Sequence, residues 1–303
     1  MASGATATFA DRLAEAVERK RSQLVVGLDP RLDLLPVELR GEAVLGRAEA
    51  ANAYARFCCG IIDAVAPYVV AVKPQVAFFE ALGGDGVSVL ERVCDYGRAA
   101  GLLVIADGKR GDIGSTARAY AAAYLEPREE ERGPLADALT VNTYLGGDSV
   151  EPFLQACRLH GAGIFCLVRT SNAGAGDVQE LTLSDGRRVW QHVAALVGEW
   201  GAELTGERGL SSVGAVVGAT VPRAVAEARK LLPRAVLLLP GVGAQGATAA
   251  DVARAFTSGP ASALVTVSRS VIFAYRGSTE DWRGAAGAEA ARLRADVWSV
   301  SGW

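Results

Sequence analysis

The sequence contains few of the side chains on which metal enzymes and nucleophilic hydrolases most often depend. Its 303 residues include two histidines, His160 and His192, and both fall in helical patterns that predict a structural role. The cysteines are odd in number, and none has C-x-x-C spacing or lies near a histidine at metal-ligand spacing. We therefore expect no metal site and interpret the cysteines as small buried residues of a reducing cytoplasm: Cys58, Cys59, Cys94, Cys157 and Cys166.

Long apolar runs and basic clusters are also missing. No apolar run approaches the roughly 18 residues that cross a bilayer, and the N-terminal stretch 1–10 has neither the basic start nor the apolar segment of a signal peptide. The formal net charge is −3, and the arginines and lysines form no basic stripe. We therefore expect a cytoplasmic protein with no membrane partner and no nucleic-acid partner.

Short apolar runs alternate along the chain with stretches rich in Ala, Leu and Arg. This alternation is typical of parallel strands joined by helices, and eight such units favour a closed barrel over an open sheet. We therefore predict an α/β fold, a (β/α)8 TIM barrel, as a single domain across residues 1–303. The predicted strands are 23–28, 69–73, 102–107, 138–141, 163–168, 214–218, 235–239 and 263–267. The predicted helices are 11–21, 47–66, 87–100, 114–125, 149–160, 188–204, 222–232 and 248–256, with a ninth, 281–297, packed outside.

Two segments depart from this alternation of strands and helices. The charged, proline-containing stretch 126–133 is typical of a solvated surface loop. The stretch 170–188 after the fifth predicted strand is too long for a usual strand-to-helix connection, and residues 181–187 within it indicate a small hairpin that turns at Asp185-Gly186. Because a long loop at this end of a strand lies over the site of a barrel enzyme, we interpret it as a candidate lid.

The most informative stretch follows the third predicted strand, where an apolar run leads into Asp-x-Lys-x-x-Asp: Asp107, Lys109 and Asp112. Side chains alternate along a strand, so Asp107 and Lys109 should point to the same side of its C-terminal end. Charges this close perturb one another and titrate together. Taken alone, the motif fits a structural ion pair equally well, with Asp112 capping the helix that begins near Gly114.

Polar or ionisable residues also follow other predicted strands. Barrel enzymes place their active sites at the C-terminal ends of the strands, so these positions should converge on one mouth of the barrel. They are Asp29 after the first strand, Lys73 at the end of the second, 169–172 after the fifth, 240–246 after the seventh and 268–270 after the eighth.

The last two of these loops predict a phosphate site. Gly241, Gly243 and Gly246 allow backbone N–H groups to approach an anion closely, and Arg269 offers a planar fork of donors. Barrels commonly bind phosphate with the loops after strands seven and eight. The alternative is a plain glycine-rich turn beside a surface arginine.

The charges predict the role of the lysine. An ammonium between carboxylates stays protonated, so Lys109 suits proton donation better than Schiff-base formation, which needs a free amine. The residues alone therefore indicate a barrel enzyme acting on a phosphorylated substrate.

These motifs resemble the orotidine 5'-phosphate decarboxylase family over nearly the whole chain, from 27–30 to 268–270. The strongest likeness is in 107–116, followed by 72–74 and 240–246, and the stretch 169–172 is similar to the longer bacterial subgroup. The resemblance implies formation of UMP from orotidine 5'-phosphate in pyrimidine biosynthesis, in a cytoplasmic homodimer that needs no metal and no organic cofactor.

The resemblance also implies roles for individual residues. Lys109 would donate the proton to C6 as carbon dioxide leaves, Asp107 would lie against the substrate carboxylate, and Lys73 would pair with Asp107 and contact the ribose. Asp112 and Thr116 would reach across the dimer interface into the neighbouring site.

The remaining implied contacts bind the substrate. Asp29 would bind a ribose hydroxyl and Ser171 the pyrimidine. Pro240 belongs to the substrate-binding loop, in which Gln245 holds the phosphate together with Arg269.

The sequence departs from the subgroup at two positions, and two other functions stay open. Gly108 stands where the subgroup typically has Ala, and Ala173 stands where it often has Pro. One alternative is a magnesium-dependent sugar-phosphate decarboxylase or synthase of the same superfamily. The other is a catalytically silent nucleotide-binding barrel. Asn142, after the fourth predicted strand, could face the pocket or serve packing.

Overall fold

The computed structural model describes residues 7–43, 46–128, 132–278 and 281–303. In these residues eight parallel strands form a closed barrel in the order β1 to β8, and the last strand pairs with the first. This confirms the predicted (β/α)8 TIM barrel. The strands are Leu24–Leu28 (β1), Ala71–Pro74 (β2), Leu103–Arg110 (β3), Ala138–Val141 (β4), Gly163–Arg169 (β5), Ser211–Val217 (β6), Ala235–Pro240 (β7) and Ala263–Val267 (β8).

Helices precede β1 and follow every strand, as the alternation predicted. They are Phe9–Lys20 (α1), Val37–Ala43 (α2), Arg47–Val65 (α3), Val76–Glu80 (α4), Gly83–Ala99 (α5), Gly114–Leu125 (α6), Gly147–His160 (α7), Val189–Trp200 (α8), Pro222–Leu231 (α9), Ala249–Val252 (α10), Arg269–Ile272 (α11) and Trp282–Ser301 (α12). The bounds of α6, β4 and β8 match the prediction. The short helices α2 and α4 were missed because five to seven residues carry too little periodicity to stand out.

Helix α1 closes the N-terminal end of the barrel. Its apolar residues, including Phe9 and Leu13, form one cluster with the side chains that fill the barrel interior. Phe9 meets Phe165 of β5 edge to face, with 5.8 Å between ring centroids. A Cβ at Gly163 would lie 2.4 Å from the Phe9 ring, so this glycine makes room for the plug. The barrel is therefore open only at the opposite end, where the strands terminate.

The outer helices pack on the barrel through a second core, and α12 covers α3. Trp282 at the start of α12 lies over Phe57, with 5.4 Å between ring centroids. A Cβ at Gly60 would lie 2.3 Å from the Trp282 ring. This close contact confirms that the ninth predicted helix packs on the outside.

Most of the other predicted elements differ from the structure at one end or both, and three of them show how. Strand β6 begins at Ser211, before the predicted start, because Ser211 and Ser212 are buried polar residues that an apolar pattern does not detect. The Ser211 hydroxyl donates to the carbonyl of Gly201. The predicted helix 188–204 ends at Trp200 and the predicted helix 248–256 at Val252, and a 3-10 turn follows each of them.

The described residues of the two irregular segments lie mostly at the surface. The predicted surface loop 126–133 includes 129–131, which lie outside the described residues. In 170–188 a 3-10 helix, Ala173–Asp177, precedes a tight turn in which Leu183 N–H donates to the Arg187 carbonyl at 2.7 Å. Thr182 and Arg188 pair as antiparallel partners on either side of it. The predicted hairpin is confirmed as this single bridge.

Most of the cysteines and both histidines lie where the sequence predicts. Four of the five cysteines are buried, Cys59 is partly exposed, and all five are free thiols. Both histidines lie in helices, as predicted. In the described part of the chain no helix combines the length and apolarity needed to cross a membrane.

Candidate active site

The end of β3 is irregular, and this irregularity places the lysine. The pairing of β3 with β4 is regular at Ala106, shifts, and resumes at Arg110. Between them Lys109 has φ of 45°, in the left-handed region that few residues other than glycine adopt. The backbone N–H of Lys109 donates to the hydroxyl of Thr140 on β4 at 2.9 Å. The bulge turns the Lys109 side chain back towards Asp107, so the two predicted neighbours do meet.

Asp107 lies between two ammonium groups. Its Oδ2 accepts from Lys73 Nζ and its Oδ1 from Lys109 Nζ, each at 2.5 Å. The hydroxyl of Thr140 donates to Oδ1 at 3.0 Å. Only 9% of the Asp107 side chain is exposed, whereas 47% of the Lys109 side chain is exposed. One buried carboxylate therefore anchors two cations, of which Lys109 faces open space.

The charges in this cluster fix its protonation. Burial alone would raise the pKa of Asp107, but the neighbouring ammonium groups of Lys73 and Lys109 hold it well below its ordinary value. Burial opposes the charge on Lys73, but the carboxylates of Asp107 and Asp29 outweigh burial and raise its pKa above 10.5. At neutral pH Asp107 is therefore a carboxylate and Lys73 is its charged partner.

A cavity of about 450 Å³ opens beside this cluster at the C-terminal mouth of the barrel. It combines charged groups on one wall with apolar side chains, among them Leu167, Val216 and Leu238, on others. Such a mixture is typical of small-molecule sites, and its volume falls in the usual range of roughly 300–1,000 Å³. Its other lining residues are Lys73, Asp107, Lys109, Thr140, Thr170, Ser171, Asn172, Gln179, Pro240 and Thr266.

A smaller cavity of about 120 Å³ shares Lys73, Pro240 and Thr266 with the larger one. The loops after β7 and β8 form it, and its lining includes Gln245 and Arg269. The other lining residues are Asp29, Gly241, Val242, Ala244 and Ser268. The two sets of predicted residues, charged and phosphate-binding, thus lie in adjoining parts of one mouth.

Glycine is required in the loop after β7. Gly241, Gly243 and Gly246 have φ of 117°, 81° and 91°. A Cβ at Gly241 would lie 3.2 Å from Thr220 and 3.3 Å from the side-chain oxygen of Gln245. The glycines therefore permit a tight turn that brings backbone and Gln245 to the cavity wall.

Asp29 lines the smaller cavity and is held there by Ser268. Its Oδ2 accepts from the Ser268 hydroxyl at 2.6 Å, and its buried Oδ1 has no hydrogen-bond partner in the described residues. A buried acceptor without a partner is costly.

Ser171 lines the larger cavity on the segment interpreted as a lid. Gln179 of the same segment accepts from the Thr170 backbone N–H and donates to the Thr170 hydroxyl, both at 2.8 Å. Glu180 pairs with Arg169 at the end of β5, with 2.7 Å between Nε and Oε1. These bonds attach the segment to the strand end, and they position Ser171.

Asp112 and Thr116 do not line either cavity. Asp112 Oδ1 accepts from the N–H of Ile113 at 2.7 Å, and Thr116 is exposed on the first turn of α6. Their role at a neighbouring site stays a prediction. Asn142 is exposed and accepts from the N–H of Tyr144, so it neither faces the cavity nor packs in the core.

Sequence reasoning missed three polar residues of the site. Thr140 and Thr266 lie inside strands, where threonine is common for conformational reasons and gives no signal of function. Gln179 lies ten residues beyond the end of β5, and its hydrogen bonds to Thr170 hold its side chain beside the cavity.

A third cavity, of about 510 Å³, lies at the other end of the barrel between α8 and the start of β7. Its walls are mostly apolar, and Glu199 and Arg234 are its charged members. It contains no paired acid and base, so the chemistry belongs to the mouth with Asp107.

The chain matches known proteins over most of its length. The model of the orotidine 5'-phosphate decarboxylase / HUMPS family matches residues 22–283. An orotidine 5'-phosphate decarboxylase of Rhodopirellula baltica is 51% identical over 271 residues, which are 89% of this chain and 89% of that protein. One from Deinococcus radiodurans is 46% identical over 269 residues, 89% of this chain and 90% of that protein.

Solved structures agree with the sequence matches. A crystal structure of a Streptomyces avermitilis protein superposes with a TM-score of 0.82 at 37% identity, covering 100% of this chain and 99% of that chain. Leishmania donovani OMP decarboxylase superposes with a TM-score of 0.74 at 30% identity, covering 98% of this chain and 99% of that chain. The chain therefore belongs to the orotidine 5'-phosphate decarboxylase family of enzymes.

Proposed function

We propose that this protein decarboxylates orotidine 5'-phosphate to UMP and carbon dioxide in pyrimidine biosynthesis. The observation that carries the proposal is the buried Asp107 carboxylate, held between the ammonium groups of Lys73 and Lys109 on the wall of a cavity of about 450 Å³. The adjoining cavity supplies a place for the phosphate on the side where Gln245 and Arg269 lie.

The charge cluster suits the chemistry of this reaction. The bond between C6 and the carboxylate breaks, carbon dioxide leaves, and the electron pair stays on C6. Lys109 Nζ lies nearby as a fixed ammonium, stabilises the developing negative charge and transfers its proton to C6. The resulting amine then regains a proton from water. Lys73 stays paired with Asp107 and keeps the carboxylate oriented.

The remaining contacts follow from where the side chains lie. Ser171 contacts the pyrimidine from the lid, and the Asp29 carboxylate on the wall of the smaller cavity accepts from a ribose hydroxyl. Gln245 and Arg269 bind the phosphate, and Pro240 forms the wall shared by the two cavities. Binding energy from the phosphate thus orients a reacting bond that the phosphate does not touch.

We further propose a homodimer in which Asp112 and Thr116 act at the neighbouring site. Both lie outside the cavities of their own chain. Ile113 beside Asp112, and Tyr144 and Leu145 on the loop after β4, are large apolar residues left exposed. Exposed apolar residues around a charged motif are typical of a surface that another chain covers.

Mixed dimers test the sharing of residues directly. Lys109→Ala and Asp112→Ala chains are each expected to be inactive alone. Mixed after mild dissociation, they should regain activity, because one site of the heterodimer then has both groups intact. If the mixture stays inactive while heterodimers form, Asp112 acts within its own chain.

The function itself is tested by the ultraviolet absorbance of orotidine 5'-phosphate incubated with the purified protein and EDTA. We expect the orotate band to disappear with the wild type and to persist with Lys109→Ala. Activity that EDTA abolishes and magnesium restores would instead identify a metal-dependent reaction. No change with the wild type in either buffer would refute the decarboxylase proposal. The cytoplasmic location stays a prediction.

A further inference from the structure

Lys109 has an unusual backbone conformation for its place in the chain. The non-glycine residues with positive φ in the described ranges are Arg21 and Lys109. Arg21 ends helix α1, where the left-handed conformation is common. Lys109 lies inside strand β3, where a side chain in this region is strained and persists only if its surroundings enforce it.

The peptide unit that precedes Lys109 is held at both ends by side chains. Its N–H, from Lys109, donates to the Thr140 hydroxyl at 2.9 Å. Its carbonyl, from Gly108, accepts from Nη1 of Arg110 at 3.3 Å. Because the orientation of this peptide plane sets φ of Lys109, these two bonds together determine where the Lys109 side chain begins.

Arg110 is itself locked by its neighbours. Its guanidinium lies against the rings of Tyr120 and Tyr124 on α6, 5.4 Å and 5.5 Å from their centroids. Nη2 donates to the Tyr124 hydroxyl at 2.8 Å and forms an ion pair with Glu80 at the end of α4. A planar guanidinium that is stacked and bonded in this way has little freedom to move.

Through these contacts Arg110 joins helix α4 to helix α6. Helix α4 follows the strand that bears Lys73, and α6 follows the Asp-x-Lys-x-x-Asp motif. Arg110 does not line either cavity, so its side chain is not placed to touch a ligand.

We infer that Arg110 is a positioning residue for the decarboxylation: it clamps the Gly108 carbonyl and so holds Lys109 in the left-handed conformation that aims its ammonium at the reacting carbon. The inference rests on the proposed function for its kinetic consequence, but its structural consequence is independent of it.

The kinetic test compares Arg110→Met and Arg110→Lys with the wild type. A misplaced catalytic group lowers kcat without weakening substrate binding. We expect Arg110→Met to lower kcat about tenfold to a hundredfold, with KM and the affinity for UMP changed less than about twofold. Arg110→Lys keeps the charge but not the planar fork, so its kcat should lie between those of Arg110→Met and the wild type.

Arg128→Met is the matched control. Its side chain is 16% exposed, compared with 20% for Arg110, and it also pairs with carboxylates, but far from the mouth. We expect its kcat and KM to equal those of the wild type. If Arg110→Met does not fold, Tyr124→Phe, which removes one acceptor of the guanidinium, should lower kcat severalfold. A kcat within twofold of the wild type, or a raised KM at unchanged kcat, would overturn the inference.

Crystal structures of wild type and Arg110→Met give a readout that does not depend on activity. In the variant we expect Lys109 to leave the left-handed region and Lys109 Nζ to leave Asp107 Oδ1. If Lys109 keeps its φ and its ion pair, the inference is wrong, whether or not the wild type decarboxylates orotidine 5'-phosphate. If Lys109 moves but the wild type is inactive, the positioning role stands and the proposed function fails.

Discussion

Lys73 and Lys20 lie at opposite ends of the barrel and show what decides the direction in which burial and neighbours shift the pKa of a lysine. Lys20 donates to the carbonyls of Ala66 and Val69, and burial, helped by Arg19, lowers its pKa to about 8. Lys73 is the more deeply buried of the two, yet the carboxylates of Asp107 and Asp29 overcome burial and raise its pKa above the ordinary value. Carboxylate partners, rather than exposure, therefore decide whether the pKa of a lysine rises or falls.

The same contrast extends to Arg229 at the closed end. Its buried guanidinium has no carboxylate partner in the described residues and donates instead to backbone carbonyls, among them those of Ala255, Leu232, Ala235 and Ser262. Burial lowers its pKa to about 10, so it stays protonated at neutral pH. The charged Arg229 at the closed end thus bonds several elements to one another, whereas the charged residues at the mouth line a cavity.

Lys73→Met should have the largest effect, because it removes the more deeply buried of the two ammonium groups that pair with Asp107. Asp107 would stay buried with Lys109 as its remaining cation. We expect the free energy of unfolding to fall by about 3 kcal/mol and kcat to fall at least about a hundredfold. Urea unfolding and steady-state assays measure the two effects. A variant as stable as the wild type would show that the pair contributes nothing net.

Arg229→Met should separate stability from activity at the closed end. Several buried carbonyls would lose their donor, so we expect the free energy of unfolding to fall by about 2–3 kcal/mol. Below the unfolding transition kcat should stay within about twofold of the wild type. A large loss of kcat in folded protein would mean that the two ends are coupled.

The lowered pKa of Lys20 should make the free energy of unfolding depend on pH. Its pKa is about 8 in the folded protein against 10.5 ordinarily, so between these values the unfolded chain binds more protons. The free energy of unfolding contributed by Lys20 should therefore rise with pH across this window. Lys73, whose folded pKa is raised, should lose its contribution only at higher pH.

Urea unfolding of wild type and Lys20→Met at several pH values between 7 and 10 measures this slope. The stability of the wild type relative to the variant should increase with pH and be flat below about 8. A difference that falls or stays constant would contradict the lowered pKa.

Gly108→Ala should have the smallest effect and tests whether the bulge depends on glycine. Its φ is not in the left-handed region, and a Cβ would meet Leu139 at 3.4 Å, an ordinary contact. We expect stability to rise by roughly 0.5 kcal/mol and kcat to stay within twofold. A loss of kcat would show that backbone freedom at 108 contributes to the placement of Lys109.

Much of the fold could be predicted because its signals are local. Continuous apolar runs indicate strands buried on both faces, and their number indicates a closed barrel. The role of α1 could not be predicted, since its amphipathic pattern does not reveal that Phe9 enters the barrel beneath Phe165. The bulge at Lys109 could not be predicted either, because the side chains that contact it and Arg110 lie on other elements, β4 and α6.

Some residues of the candidate site could be predicted from the sequence and others could not. Lys73, Asp107, Lys109 and Ser171 were predicted and line the larger cavity, because charged residues at strand ends stand out against apolar strands. Thr140 carries no such signal, yet its hydroxyl bonds both Asp107 and the Lys109 backbone. The charged residues on the cavity wall could therefore be predicted from the sequence, and the threonine that bonds to them could not.

The left-handed lysine has a consequence for protein engineering. At φ of 45° a lysine is less stable than a glycine by about 1–2 kcal/mol, so a redesign guided by stability alone would favour glycine at 109. Such a redesign would gain thermal tolerance and lose the group that we propose donates the proton. Computational or consensus optimisation of this chain should therefore keep residues 106–110 and Thr140 fixed and seek its gains on the outer helices.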